Sequence, residues 1–303
     1  MNGIINVYKE RGFTSFDVVA KLRGILHEKK IGHTGTLDPE ATGVLPVCVG
    51  NATKVCEFLT EKDKTYEAVL HLGIITDTGD LTGTVLDDKS EKAGELTEKE
   101  IEDTVMGFVG SYVQVPPMYS ARKVDGKRLY ELARAGIEVE RKAVNVTIYS
   151  IRILDIQVPY VRFLVRCSKG TYIRTLCEDI GKKLGTGGCM EKLKRTQAGI
   201  FKEDSAHTLS EIEKVQAEGK IGELLMPVDT LFPKLPKLHI KKEALKLLQN
   251  GNKLLPESFV ENTDQMDSQV LVYDTAGSFY AIYEYDKTFG YYKVRKMFGA
   301  EKL

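Results

Sequence analysis

A stretch rich in glycine, threonine and proline, residues 32–46, most constrains the fold of this chain. Its glycines permit positive φ values and let another group approach the backbone closely. Pro39 has a fixed φ and restricts the residue before it, Asp38, to extended conformations. We therefore expect a tight loop, not a helix, and expect this loop to present the Asp38 carboxylate.

The residues alone leave two interpretations of this carboxylate open. It can carry chemistry, or it can simply shape the chain, because Asp before Pro is common in turns. A phosphate-binding loop is disfavoured, since the pattern Gly-x-x-x-x-Gly-Lys-[Ser/Thr] does not occur. A calcium loop is disfavoured as well, since Asp38 and Glu40 are the only carboxylates in the stretch.

Composition narrows the class of protein. A chain of 303 residues has the length of about two domains, and it has no apolar run of about 18 residues that could span a membrane. The first residues lack the features of a signal peptide, so we expect a cytoplasmic protein. The cysteines and histidines are scattered without metal-ligand spacing, so we expect neither a disulfide framework nor a bound metal.

The net charge of the chain is zero, but the charge is unevenly distributed. Residues 119–200 contain 17 Lys and Arg against 8 Asp and Glu, which leaves 26 against 35 elsewhere. A basic segment in a neutral protein is typical of a polyanion-binding surface, unless these residues scatter in space. The acidic stretch 87–103 would repel a polyanion, and we expect it on a face away from that surface.

Hydrophobic periodicity predicts a chain of both helices and strands. Helices are expected at residues 14–26, 97–109, 127–135, 171–184 and 244–249, and strands at 44–49, 65–73, 144–158, 160–167, 269–273, 278–283 and 291–297. Four apolar residues recur at helical spacing in the first helix: Phe16, Val19, Leu22 and Leu26. Three prolines between residues 227 and 237 mark a boundary, so we expect two domains, residues 1–232 and 237–303.

The string around Asp38, GHTGTLDPEATGVLPVCVG, resembles the signature of the bacterial tRNA pseudouridine-55 synthases, the TruB family. Three further segments resemble this family in the same order: residues 64–68 (KTYEA), 116–123 (PPMYSARK) and 167–174 (CSKGTYIR). The turn at residues 77–80 also resembles the family, but its role stays open. The agreement spans roughly residues 1–230, and the tail resembles the small RNA-binding, PUA-like module often attached to these enzymes.

The resemblance implies an α+β fold, in which a mixed, largely antiparallel sheet is flanked by helices and followed by a small β-rich module. It implies an enzyme that isomerises uridine to pseudouridine in the T-loop of tRNA, with no cofactor. Nothing in the sequence demands more than one copy of the chain, so we expect a monomer. Asp38 would be the covalent nucleophile, attacking either the uracil ring or the anomeric carbon of the sugar. Arg174 would pair with Asp38 and keep it ionised and aimed.

The resemblance also implies which residues hold the flipped-out uracil. Tyr66, counted with the catalytic residues, and Tyr172 would offer aromatic faces on which the base stacks. His33 would occupy the space of the extruded base, and Leu193 would line the uracil pocket. The bland alternatives are a half-buried strand tyrosine for Tyr66 and a loop histidine bonded to the backbone for His33.

Three basic residues next to Leu193 suit contacts with RNA phosphates: Lys192, Lys194 and Arg195. The alternative is an ordinary solvated run. Two other functions also stay open, a non-catalytic tRNA-binding or tRNA-folding protein and a synthase that works with a guide RNA on ribosomal RNA. The short N-terminus, the lack of basic tails and the residues 41–45 favour the stand-alone bacterial form.

Overall fold

A computed structural model describes residues 1–120, 122–124, 126–137, 139–262 and 268–299, so Ala121 of the segment 116–123 lies outside the described residues. The strands are β1 (Gly3–Lys9), β2 (Ile31–His33), β3 (Thr42–Val49), β4 (Lys64–Leu72), β5 (Ile74–Thr76), β6 (Val85–Asp88), β7 (Gly110–Gln114), β8 (Lys123–Val124), β9 (Lys127–Arg128), β10 (Val144–Gln157), β11 (Tyr160–Cys167), β12 (Gly188–Ala198), β13 (Phe201–Lys202), β14 (Lys237–His239), β15 (Gln269–Tyr273), β16 (Phe279–Asp286) and β17 (Tyr291–Met297). The helices are α1 (Ser15–Leu26), α2 (Cys56–Thr60), α3 (Ser90–Gly94), α4 (Glu98–Met106), α5 (Leu129–Arg134), α6 (Ile173–Lys183), α7 (Leu209–Ala217) and α8 (Leu245–Gln249). No helix in this part of the chain is both long and apolar enough to cross a membrane.

The main sheet confirms the expected mixed, largely antiparallel architecture. Within the described residues it has nine strands, in the order β1-β3-β12-β4-β11-β10-β7, with β2 beside β3 and β13 beside β12. Only the contact between β3 and β12 is parallel, and it joins Thr42 to Lys194 and Gly43 to Arg195. This contact brings the chain that follows Asp38 against the middle of the sheet.

Two kinds of strand follow from their sequences. In β11, Val161, Phe163 and Val165 are buried while Arg162 and Arg166 point outward, as the alternation predicts for a strand with one covered face. In β3, by contrast, every residue from 43 to 49 is buried. A strand covered on both faces reads as a continuous apolar run, so β3 forms the rigid base of the segment that carries Asp38.

Helix α1 has the predicted start but not the predicted face. Thr14 and Asp17 form a capping box, yet the ring of Phe16 is 64% exposed, so its placement on the buried face was wrong. Ser15 and Val18 are buried instead. At about 100° per residue, Phe16 lies roughly a quarter-turn around the helix from the centre of the buried face. The three-residue spacing from Phe16 to Val19 fits a helix but does not show this angle.

Other helix ends differ from the sequence expectation by a few residues. Helix α6 begins at Ile173, because Tyr172 is extended and serves as the N-cap. Helix α5 begins at Leu129, because the two residues before it pair with β8 in a short hairpin. The helix expected at residues 97–109 ends at Met106. At α5 and α6 the difference arises where a strand or tertiary contact takes over residues whose local pattern is helical. At α4 the helix ends in local turns after Met106.

The second sheet is small and packs on the first. Its order is β14-β15-β16-β17, and β15 and β17 have the bounds that the sequence predicts. One apolar cluster contains Leu271, Ile282 and Phe298 of this module together with Ile4 and Val44 of the main sheet. The small module is therefore held against the strands that support the Asp38 segment.

We predict that Leu22→Ala lowers the free energy of unfolding by about 2–5 kcal/mol, because Leu22 is fully buried in α1 and its loss leaves a cavity. Phe16→Ala is the matched control, and its exposed ring should contribute less than about 0.5 kcal/mol. Urea unfolding followed by circular dichroism measures both. Equal losses at the two positions would contradict the observed placement of α1.

Candidate active site

A cavity of about 580 Å³ opens where the Asp38 segment meets β4, β10, β12 and the start of α6. It brings together six of the residues singled out from the sequence: Asp38, Tyr66, Tyr172, Arg174, Leu193 and Arg195. The described wall also contains Lys64, Arg122 and Lys169, and Asp38 is its only acidic residue. The cavity is therefore basic, and none of the described residues of the acidic stretch 87–103 lines it.

The Asp38 loop, residues 34–41, combines the two interpretations of its carboxylate. Asp38 begins a turn, since the Ala41 N–H donates to the Asp38 carbonyl at 3.1 Å with Pro39 at the second position. The side chain of Asp38 nevertheless points to the cavity and keeps 38% of its surface accessible. The turn therefore shapes the backbone, and the carboxylate stays accessible from the cavity.

Buried groups hold this loop from the side of β1 and α1. Lys9 is fully buried, and its Nζ donates to the carbonyls of Phe13 at 2.6 Å and Pro39 at 3.1 Å. Burial lowers the pKa of Lys9 to about 8. The Ser15 hydroxyl accepts from the Leu37 N–H at 2.9 Å. The main chain on both sides of Asp38 is thus fixed by hydrogen bonds.

Arg195 holds the other side of the loop. Its Nε donates to the Val44 carbonyl at 2.6 Å and its Nη2 to the Gly35 carbonyl at 3.2 Å. Gly43 has a φ of +103°, and a Cβ there would lie 2.2 Å from the main-chain carbonyl oxygen of Arg195. The close approach of β3 to β12 at this point therefore requires glycine. Arg195 is only 1% exposed, and its side chain supports the loop. The phosphate contact expected of it stays a prediction.

The neighbouring lysines differ from Arg195 because side chains alternate along a strand. Lys192 and Lys194 lie on the opposite face of β12, and Lys192 is 76% exposed. Lys194 already pairs with Glu67 at 3.4 Å and with Glu203 at 3.1 Å. Of the three basic residues, Lys192 is the most exposed, and its nearest carboxylate is that of Glu191 at 3.8 Å.

The expected ion pair between Asp38 and Arg174 is present and bidentate. Arg174 Nε lies 3.1 Å from one carboxylate oxygen, and Nη2 lies 3.3 Å from the other. The buried guanidinium also donates to the carbonyls of Thr78 at 3.1 Å and Tyr119 at 2.6 Å. Because these contacts occupy both ends of the guanidinium, its orientation towards Asp38 is fixed.

Opposing influences act on the Asp38 carboxyl. Burial raises its pKa above the ordinary value, and the carboxylate of Asp80 raises it further. Arg174 and Lys9 act in the opposite direction and favour the ionised form. The Asp80 carboxylate lies 3.7 Å from Arg174 Nε, so the guanidinium forms ion pairs with both Asp38 and Asp80.

The aromatic and apolar residues of the site lie around this pair. Tyr66 on β4 is 9% exposed, and burial raises the pKa of its phenol while Arg195 opposes that shift. Tyr172 and Leu193 are half-buried in the cavity wall. His33 ends β2, lies outside the cavity wall, and its Nδ1 accepts from the Gly35 N–H at 3.3 Å.

Sequence reasoning missed three residues that shape the site. Asp80 lies in the turn whose role stayed open, and only its contact with Arg174 gives it a part in the site. Lys64 appeared only as part of a motif, but it is buried in the cavity wall and donates to the Thr60 and Lys62 carbonyls. Gln114 gave no signal, because its partners are main-chain atoms of a distant segment. Within the described residues, no three acidic, His or Cys side chains are arranged as metal ligands.

Comparisons with known proteins place the chain in a family. Residues 23–173 match the model of the TruB family pseudouridylate synthase N-terminal domain. Residues 174–233 match the tRNA pseudouridylate synthase B C-terminal domain. A tRNA pseudouridine synthase B of Lachnoclostridium phytofermentans is 54% identical over 98% of this chain and all of that protein. The chain belongs to the TruB family of pseudouridylate synthases.

Solved structures share the fold at lower identity. A chain of a Cbf5-Nop10-Gar1 complex is 28% identical, with a TM-score of 0.70 over 98% of this chain and 85% of that chain. A chain of an H/ACA RNP bound to a substrate RNA containing 2'-deoxyuridine is 26% identical, with a TM-score of 0.69 over 99% of this chain and 86% of that chain. The similarity therefore extends through the small second sheet.

We predict that the pKa of the Asp38 carboxyl, followed by its carbon-13 chemical shift, lies above its ordinary value of 3.8. Arg174→Met should raise this pKa further, because it removes the largest influence that favours the ionised form. Arg162→Met is the control, since that exposed arginine faces Glu67 outside the cavity. A parent value at or below 3.8, or no change in Arg174→Met, would contradict the electrostatic description.

Proposed function

We propose that the protein isomerises uridine to pseudouridine at position 55 in the T-loop of tRNA, without a cofactor. Membership of the TruB family and the activity for which its 54% identical relative is named support pseudouridine formation in tRNA. The observation that carries the chemistry is the bidentate contact between Asp38 and Arg174 in a basic cavity. Arg174 favours the ionised form of this carboxylate and fixes its orientation, as a nucleophile requires.

The proposed reaction begins when the target uridine leaves its loop and enters the cavity. Tyr66 and Tyr172 offer faces for the flipped base, and Leu193 offers an apolar wall. Asp38 then attacks the uracil ring or the anomeric carbon, and the bond between N1 and that carbon breaks. The base rotates, its C5 bonds to the anomeric carbon, the bond to Asp38 breaks, and the C5 hydrogen leaves as a proton.

Further assignments complete the proposal. His33, next to the Asp38 loop, contacts the extruded base, and Lys192 contacts a phosphate of the RNA. Residues 1–232 form the catalytic domain, and residues 237–303, a PUA-like module, add RNA contacts. The enzyme works in the cytoplasm as a monomer.

Two other functions make different demands on the site. A non-catalytic RNA-binding or RNA-folding protein would not need the Asp38–Arg174 pair. A synthase within a guide-RNA complex is less supported, since the similar chains from multi-component complexes are 26–28% identical and the tRNA enzyme is 54% identical. Loss of activity on free tRNA when Asp38 is changed would separate the proposed function from both.

We predict that the protein releases tritium to water from unmodified tRNA labelled at uridine C5. Asp38→Asn should slow this release by at least about 10³-fold, because the amide is a far weaker nucleophile than the carboxylate. Glu40→Gln is the matched control, since Glu40 is an exposed carboxylate two residues away that pairs with Arg11. The control should keep the parent rate.

The outcomes of this assay separate the functions. Release by both the parent and Asp38→Asn would keep the reaction but remove Asp38 from its role. Binding of tRNA without release by the parent would favour the RNA-binding function. Release that requires an added guide RNA would favour the guide-dependent enzyme.

We predict that Lys192→Ala weakens tRNA binding and reduces the slope of log affinity against log salt by about 1, because one phosphate contact is lost. Lys194→Ala should leave the slope nearly unchanged, because two carboxylates already neutralise Lys194. Filter binding at several salt concentrations measures both. Equal effects at the two lysines would contradict the assignment of Lys192.

A further inference from the structure

Gln114 makes an unusual pair of contacts at the end of β7. Its side chain is fully buried, and its Nε2 donates to the Tyr172 carbonyl at 2.9 Å. The Tyr172 N–H donates in turn to Gln114 Oε1 at 2.7 Å. One side-chain amide thus satisfies both main-chain polar groups of a single residue, as a neighbouring β-strand would.

The residue that Gln114 holds, Tyr172, lies at the N-terminus of α6. Tyr172 is the N-cap of this helix, has an extended backbone, and receives no cap from its own side chain. Its carbonyl also accepts the first helical hydrogen bond, from the Leu176 N–H at 3.1 Å. Gln114 therefore holds both main-chain polar groups of the residue from which α6 begins.

The start of α6 supplies two parts of the candidate active site. The Tyr172 side chain lines the cavity, and Arg174, two residues later, contacts Asp38. The segment that follows Gln114 runs beside the same turn of helix. Its Tyr119 carbonyl accepts from Arg174 Nη2 at 2.6 Å, and its Val115 carbonyl accepts from Thr175 Oγ1 at 3.5 Å.

We propose that Gln114 is a positioning residue for the isomerisation: its amide fixes the origin of α6 so that Arg174 meets Asp38 with both nitrogens. The catalytic role rests on the proposed function, whereas the positioning of Arg174 against Asp38 does not. The Gln114 side chain also contacts the Tyr112 phenol, which lies outside the cavity wall. Gln114 does not line the cavity, so it acts on the site through Tyr172 and Arg174. A displacement of about 1 Å in such a group reduces a catalytic rate by about 10²-fold.

The first test compares the full-length parent with Gln114→Met, which keeps the length of the side chain and removes the amide. Single-turnover tritium release below the melting temperature should fall by about 10²-fold, while tRNA affinity should change by less than about threefold, since the basic wall remains. Gln197→Met is the matched control, because Gln197 also donates to a main-chain carbonyl, that of Gly199 at 2.8 Å, outside the cavity. It should keep the parent rate.

A second readout needs no activity. If Arg174 loses its fixed position, the carbon-13 titration of Asp38 should shift to a higher pKa in Gln114→Met, because Arg174 favours the ionised carboxylate. Two other charged groups, Asp80 and Lys9, also act on Asp38, and the substitution changes neither of them. A purely structural role of Gln114 would lower the melting temperature and leave this titration unchanged.

A conservative variant completes the test and protects it against misfolding of Gln114→Met. A protonated Glu at position 114 offers a carbonyl acceptor and an O–H donor, so it can replace both contacts with Tyr172. An ionised Glu has no donor and faces the Tyr172 carbonyl with a negative charge. Gln114→Glu should therefore approach the parent rate at low pH and lose it, relative to the parent, as the pH rises.

The results separate this inference from the proposed function. Parent release of tritium, with a slow Gln114→Met, a raised Asp38 pKa and a pH-dependent Gln114→Glu, would support the inference. A parent rate in Gln114→Met, or an unchanged Asp38 titration, would overturn it. Failure of the parent to release tritium would instead overturn the proposed function, and the titration would still decide the geometric role of Gln114.

Discussion

Two buried cations hold the main chain around Asp38, and the geometry of the site depends on them. Lys9 and Arg195 donate to carbonyl oxygens of the Asp38 loop and its flanks, among them those of Pro39 and Gly35. Carbonyl oxygens satisfy the donors of a buried cation without cancelling its charge. The two residues therefore fix the loop mechanically, and Lys9 also favours the ionised form of Asp38. Exposed cations would be screened by water and would do neither as well.

Arg174 completes the balance at Asp38. A cation in the first turn of a helix is disfavoured by the helix dipole, so its position requires other partners. It has them in Asp38, Asp80 and the carbonyls of two loops. Burial alone would favour a protonated, unreactive Asp38, whereas Arg174 favours the carboxylate. Because Asp80 lies near the same guanidinium, the ionisation of Asp38 depends on where Arg174 is held and not only on its presence.

Local patterns in the sequence predicted the parts of the structure that depend on local chemistry. The tight loop at Asp38, the alternation in β11 and the capping box of α1 follow from residue types and their spacing. Phe16 was misplaced because its spacing to Val19 is helical, although its ring lies on the exposed face of α1. Arg195 was predicted to contact RNA phosphate, because no strand was expected at residues 188–198. In the structure these residues form β12, and the strand period places Arg195 on the same face as Leu193. The roles of Asp80 and Gln114 depend on partners about 60–95 residues away, and no local pattern encodes such a contact.

The segments that resemble the family contribute to the site in different ways. Residues 64–68 and 167–174 supply side chains, notably Tyr66, Tyr172 and Arg174. The segment 116–123 contacts Arg174 through the main-chain oxygen of Tyr119. Almost any residue could offer a main-chain oxygen at position 119. The contact with Arg174 therefore depends on where the backbone lies and not on the side chain. The residue that places this chain beside α6 is Gln114, two positions before the segment, so the constraint on Arg174 begins outside the motif that carries the resemblance.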